Sequence, residues 1–517
     1  MGRDIDTTEF TSEDQIRYRD KVKANLAVLR ELVDSGRFET GHRLGGVEME
    51  VYITDPAGKA MPINAALLER IASEDFQTEL AQFNIEFALN PRRLVADAFR
   101  QIEDELRASL DRAQLKAETL DAQVMIIGIL PTLTDFDVTE QNLSANPRYK
   151  ALNDMILAAR GEQILIRIEG EELLEKTANS IVFEAACTSM QLHLQVDQSS
   201  FARAWNAAQA LSAPLVAVGA NSPFFLGKQL HHETRIALFE QSIDTRPTAL
   251  RHQGLHPRVW FGERWLSEGL VELFDENVRY FPALLPVCYE EDPWAVLHAG
   301  DIPHLPELTL HNGTIYRWNR PVYGVARGRP HMRIENRVLP AGPTVADSVA
   351  NAALYYGMLH ALAGAKPGVW EQMSFDVACD NFFAAARDGL GARVRWPQIG
   401  RVPVTQLLVE HLLPLAREAL LGWQVDPADV DHYLGIIHQR LVSGQNGAAW
   451  QIETWRRLID GHGLGRTAAA RELVRRYQEL SRQGRPVHTW PLVEAYPSDG
   501  DHRLAAFPSG PTSAEVP

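Results

Sequence analysis

The chain has 517 residues, 45% of them hydrophobic and 23% charged, with 51 basic against 67 acidic residues and a formal net charge of −16. That length and apolar content suit a large core with two or three subdomains, and the acidic surface argues against nucleic acid as a partner, because polyanions are drawn to basic surfaces. Three scattered cysteines, Cys187, Cys288 and Cys379, with no CxxC pair, argue against a disulfide framework or a zinc knuckle.

Residues 12–36 read as an amphipathic helix opened by a capping box of Ser12 and Gln15, with Ile16, Val22, Leu26, Leu29 and Val33 at near-helical spacing. GVEMEV (46–51) reads as a strand, DPAGK (55–59) as a turn, 63–81 as a helix and FNIEFAL (83–89) as a second strand. A helix is predicted over 94–115, a buried strand over 122–131 and a third polar-faced strand at TSMQLHLQV (188–196). Residues 199–212 look helical, and the apolar stretch 211–227 that follows is broken by Pro214, Asn221 and Pro223. No apolar run approaches the roughly 20 residues of a membrane helix, and the N-terminus lacks a signal pattern, so the expectation is a cytoplasmic protein without a membrane partner. A helix near 232–241 precedes long loops with a few strands over 242–345, among them HMRIENRVL (331–339). Helices are then predicted at 346–365, 374–388, 404–422, 427–443, 446–460 and 467–483. A break near 395–403 divides a larger N-terminal domain (1–395) from a helical region packed on it (396–495), followed by a disordered tail (496–517).

Side chains alternate faces along a strand. Glu48 and Glu50 therefore point away from Val47, Met49 and Val51, and Glu86 away from Ile85 and Phe87. Gln191, His193 and Gln195 oppose Met190, Leu192 and Leu194, while Arg333, Glu335 and Arg337 oppose Met332, Ile334 and Val338. If these four strands share a sheet, one face gathers carboxylates, amides, a histidine and two guanidiniums, with Glu79 in reach from the preceding segment. Glu48 and Glu50, about 7 Å apart, repel by roughly 2 kcal/mol at an effective dielectric of about 20, a cost that a hard divalent cation removes. A solvated strand face is the plainer alternative for that pair. Gln191 and His193 suit a coordination sphere or a substrate's polar group, with a half-buried structural histidine as the alternative. Arg333, Glu335 and Arg337 form either an ion-pair ladder or forks for phosphate and carboxylate. The chain has no P-loop, H-E-x-x-H or G-x-S-x-G, so a nucleotide would bind on a sheet through Mg²⁺ and arginines.

In chain order, GVEMEVYITD (46–55), NIEFALNP (84–91), TSMQLHL (188–194), NSPFFLG (221–227) with Arg235 downstream, and RIENR (333–337) resemble the glutamate–cysteine ligase family 2 proteins, also called carboxylate–amine ligases. The resemblance spans roughly residues 40–350. It implies an α+β fold in which a curved, largely antiparallel sheet forms a funnel with helices packed outside, related to glutamine synthetase and the guanidino kinases. It implies that ATP phosphorylates the side-chain carboxylate of glutamate and that an amine attacks the acyl phosphate to form a γ-amide. With cysteine as the amine, that is a step of glutathione biosynthesis. Under this resemblance Glu48, Glu50, Glu86, Gln191 and Glu335 would hold Mg²⁺ or Mn²⁺. Arg333 and Arg337 would be catalytic, stabilising the transferring phosphoryl group. His193 would lie near substrate or metal, and Arg235 would hold a substrate carboxylate. This chain carries His193 where related proteins tend to carry Asn, and Trp318 and Arg320 fall in a segment, 311–324, read as a loop shaping the acceptor pocket. The partners expected are an amino acid and an amine, with the oligomeric state open. Two other readings are phosphoryl transfer to a guanidinium or amine, and a non-catalytic nucleotide or metabolite sensor on the same scaffold.

Overall fold

The computed structural model describes residue 5 and residues 7–494, so the expected disordered tail lies outside the described residues. In chain order the strands that matter are β1 (Leu44–Thr54), β2 (Phe76–Thr78), β3 (Asn84–Ala88), β4 (Arg92–Arg93), β5 (Gln123–Met125), the separate hairpin β6 (Ile164–Glu169) and β7 (Leu173–Ala178), and β8 (Met190–Val196). The two-residue strands β9 (Phe224–Phe225), β10 (Lys228–Gln229), β11 (Val259–Trp260) and β12 (Tyr316–Arg317) precede the long hairpin β13 (Asn319–Ala326) and β14 (Arg329–Asn336).

Among the described residues, eight of these strands form one sheet in the order β13-β14-β8-β1-β3-β2, with β4 and β5 paired to the ends of β1. Every pairing in it is antiparallel. The sheet curls and the helices pack outside it, as the α+β expectation requires. Its apolar face is the predicted one: Val47, Met49, Val51, Ile85, Phe87, Met190, Leu192, Leu194, Met332 and Ile334 are all buried. Full burial of such side chains stabilises by about 1.5–3 kcal/mol each.

Two long buried helices lock to this sheet. From Phe201–Gly219, the Trp205 indole donates to the Asn319 carbonyl (3.0 Å), while Gln209 Oε1 accepts from the Asn319 amide (2.7 Å). From Val345–Gly364, the Tyr356 hydroxyl donates to the carbonyls of Gly46 (3.0 Å) and His193 (3.1 Å). These bonds anchor the strands that carry the polar face. Pro214 sits inside the first of these helices, which runs on to Gly219 rather than stopping at 212, because the whole segment is buried against apolar neighbours. Neither of these helices, nor any other among the described residues, is long and apolar enough to cross a membrane.

Three expectations are corrected. The helix expected over 63–81 ends at Ile71, where Ala72 turns into the left-handed region (φ 51°) and frees the chain to form β2. The strand expected over 122–131 is confined to Gln123–Met125. The segment 242–345 holds helices at Leu270–Tyr280, Pro293–His298 and Pro306–Asn312 besides β13, so 311–324 is a helix end running into strands rather than a loop.

The fully buried Arg440 of the helix Pro427–Ser443 pairs with Asp347 (2.8 Å) and donates to Asn351 Oδ1 (2.7 Å) on Val345–Gly364. Removing one partner strands the other charge without water, so Arg440→Ala is predicted to cost about 3–5 kcal/mol of unfolding free energy. Urea denaturation checks this, and a loss below about 1 kcal/mol would mean that the pair is dispensable.

Candidate active site on the polar face of the sheet

β1 stands at the centre, and antiparallel register decides what meets on its polar side. Glu50 lies opposite Glu86 of β3, and Glu48 opposite Gln191 of β8. Further out, Gln77 of β2 faces Glu86, His193 faces Glu335 of β14, and Glu335 faces Arg320 of β13. Directly opposed residues share a face, so these groups converge. The segments Gln77–Leu80, Asn146–Leu152, Ile181–Glu184 and Thr309–Tyr316 close over them and leave a cavity of about 330 Å³.

One end of the cavity is acidic. Oxygens of Glu50, Glu79 and Glu86 lie within 4.8 Å of one another. Burial, then the neighbouring charge of Glu50, pushes the Glu79 carboxyl up to about 8. Burial, with Glu48 and Glu79, holds Glu86 well above the usual carboxylate range, and burial raises Glu50 against the pull of Arg235 and Arg337. The hydrogen-bond donors to Glu50 and Glu86 are neutral. Glu50 accepts from the Ser189 N–H (2.6 Å), its hydroxyl (2.9 Å) and the Gln191 amide (3.0 Å), and Glu86 from the amides of Gln77 and Gln191. None of the three acids forms an ion pair among the described residues. Three crowded acid groups, all offering oxygen, fit a hard divalent cation such as Mg²⁺ or Mn²⁺.

The other end is basic and already paired. Arg320 donates twice to Glu335 Oε2 (3.1 and 2.7 Å), and Arg337 donates to Oε1 (3.1 Å). Burial alone would raise Glu335, but Arg320 and Arg337 outweigh it and hold the acid well below the usual range. Arg337 also donates to Gln191 Oε1 (2.9 Å), so one glutamine links the two ends. Arg333 Nε donates to His193 Nδ1 (3.2 Å). The other ring nitrogen, Nε2, lies 3.1 Å from Glu48 Oε1. Burial opposes ionisation of Glu48, yet His193 keeps its carboxyl well below the usual range.

The structure brings Glu48, Glu50, Glu86, Gln191, Arg333, Glu335 and Arg337 to the cavity wall. His193 sits beneath it, wedged between Arg333 and Glu48. Arg235 lies off the cavity wall: its guanidinium donates to Glu233 (3.2 Å) and to the carbonyls of Val338 (3.2 Å) and Arg337 (3.1 Å), bracing the chain behind Arg337. Trp318 is buried beside Phe239 and Phe382, away from the acceptor space, whereas Arg320 does reach the cavity. Gln77, Arg148, Glu184 and Tyr316 line the cavity and gave no sequence signal of their own. Gln77 lies on a three-residue strand and Glu184 in a short 3₁₀ helix, neither long enough to show a period.

A curled antiparallel sheet backed by helices, with facing clusters of acids and guanidiniums, is here the scaffold of an enzyme that joins a carboxylate to an amine. Residues 44–478 match the model of glutamate–cysteine ligase family 2, and the chain belongs to that family. Its structure is similar to that of glutamate–cysteine ligase from Francisella tularensis in complex with AMP, with 14% identity and a TM-score of 0.51, covering 86% of this chain and 90% of that one. It is also similar to a bifunctional glutathione synthetase from Pasteurella multocida, with 10% identity and a TM-score of 0.47, covering 89% of this chain and 55% of that one. No curated protein matches the sequence.

Two outcomes are predicted for the acidic end. Glu86→Gln removes one of three repelling acids, so it should leave the cation-free protein at least as stable while weakening Mn²⁺ binding tenfold or more. Calorimetry on both forms checks this, and unchanged affinity would contradict the assignment. Because burial and crowding keep protons on Glu79 and Glu86 in the absence of cation, Mg²⁺ binding at neutral pH should release protons. Titrations in two buffers of different ionisation enthalpy would show it as a buffer-dependent heat.

Proposed function

We propose that this chain is an ATP-dependent carboxylate–amine ligase that forms a γ-glutamyl amide through an acyl phosphate. The observation that carries the proposal is the Glu50–Glu79–Glu86 cluster facing Arg320, Arg333 and Arg337 across one cavity. A carboxylate is a poor electrophile until it acquires a leaving group. Supplying one from ATP means bringing anionic phosphates against another anion, which requires positive charge placed in advance. A divalent cation at Glu50, Glu79 and Glu86, with Glu48 and Gln191 beside them and Glu335 at the arginine end, would neutralise that repulsion.

The chain's own groups do the rest. Arg333 and Arg337 are aimed into the cavity and offer planar forks to phosphoryl oxygens. Glu335 and His193 hold these side chains in place, so little reorganisation is left for the transition state. Gln191 ties the acid cluster to Arg337 and keeps the two ends at a fixed separation. The covering segments restrict water, which would otherwise hydrolyse an acyl phosphate. The nucleotide held by the Francisella ligase supports a nucleotide as the phosphoryl source.

The test is release of ADP and phosphate from ATP, Mg²⁺ and glutamate across a panel of amines. Release that depends on both glutamate and an amine is expected, and none with any amine would overturn the reading. Arg333→Ala is predicted to lower kcat by roughly 10³-fold with the melting temperature retained. Near-wild-type turnover would remove Arg333 from the mechanism.

A further inference from the structure

Six carboxylates line the cavity among the described residues: Glu48, Glu50, Glu79, Glu86, Glu184 and Glu335. Five are committed. Glu50, Glu79 and Glu86 form the cation cluster, Glu48 lies against His193, and Glu335 is gripped by Arg320 and Arg337. Glu184 is the sixth. It stands on the 3₁₀ helix Ile181–Ala186, whose other side chains are all buried, so the turn presents this one polar group, beside Ile181, to the cavity. Its carboxylate makes no hydrogen bond or ion pair among the described residues, and its oxygens lie outside the cation cluster. Tyr149, Ile181, Ile243 and Tyr316 line the same space together with Asn146, Arg148 and Asn312, so it offers both apolar surface and polar groups. A half-buried acid without a partner among the described residues, beside aliphatic and aromatic side chains, suits a compact cation with an apolar body.

We infer that Glu184 is the acceptor site: it receives the ammonium group of a primary amine and takes the proton that must leave before the nitrogen can attack. The assignment rests on the ligase reading above. An ammonium ion has no lone pair, so one proton passes from nitrogen to the Glu184 carboxylate. The freed pair forms the C–N bond at the acyl-phosphate carbonyl carbon. The bond from that carbon to the phosphate oxygen breaks with its electrons on phosphate, and the second proton shed as the amide forms goes to the departing phosphate. None of the other five acids is placed for this: Glu50, Glu79 and Glu86 share the candidate cation cluster, Glu48 lies against His193, and Glu335 is paired with two arginines.

Hydroxylamine, largely uncharged at neutral pH, attacks acyl phosphates without such a base and separates the two halves of the reaction. Full-length wild-type protein and Glu184→Gln are assayed with ATP, Mg²⁺, glutamate and either hydroxylamine or one of ethylamine, isobutylamine and L-2-aminobutyrate. Glu184→Gln should lose about 10²–10⁴-fold in kcat with the best of the three amines while keeping hydroxamate formation within about threefold. Equal losses with both acceptor types would make Glu184 a cation ligand or a structural group and overturn the assignment. Undiminished amide formation would overturn it too, as would a wild-type protein that makes hydroxamate but accepts none of the amines. A wild-type protein that makes no hydroxamate overturns the ligase reading itself and the Glu184 assignment with it.

Discussion

Three acid groups crowded together where burial opposes their ionisation are the constraint on which the site depends. Glu50, Glu79 and Glu86 come from two central strands and the segment after an edge strand, and only the curled sheet brings their oxygens together. Low dielectric makes both repulsion and attraction large, so ionising the cluster is costly unless a cation is bound. The neutral amides of Gln77 and Gln191 and the hydroxyl of Ser189 orient the oxygens without cancelling their charge. A lysine in their place would satisfy the cluster and close it to metal.

The opposite end works by the reverse arrangement. Arg320, Glu335 and Arg337 form an alternating triad in which one carboxylate pairs with two guanidiniums, leaving positive charge in excess before any ligand arrives. Such a triad is stable unoccupied, yet it presents guanidinium forks wherever anionic phosphates approach. The contrast gives the cavity a direction, with cation demand at one end, anion demand at the other and Gln191 spanning the two. Arg235 and Tyr356 act from behind this surface. The first braces the carbonyls of Arg337 and Val338, and the second the carbonyls of Gly46 and His193.

The polar face was legible in the sequence because strand periodicity is local: Glu48 and Glu50 need only their own parity, as do Gln191 and His193 or Arg333 and Glu335. Strand order was not legible, since the pairing of β14 with β8 and of β1 with β3 is decided by long-range packing. Glu79 was placed near the site by its distance in sequence from Glu86, but the run 63–81 reads as one helix, so the strand carrying Gln77 was hidden. Glu184 carried no signal, because a six-residue 3₁₀ helix has too few positions to show a face. Arg235 is assigned a substrate carboxylate through the family resemblance alone. Here its two terminal nitrogens donate to Glu233 and two carbonyls, which a sequence cannot reveal.

The proposed ligation, in which a carboxylate meets an anionic phosphate between the acid cluster and the guanidinium triad, would leave an isotopic record. Glutamate labelled with oxygen-18 in its side-chain carboxylate, turned over with ATP and an accepted amine, should yield phosphate carrying one labelled oxygen per turnover. Released phosphate free of label would mean that no carboxyl oxygen ever bonded to phosphorus, and that the cavity does other chemistry.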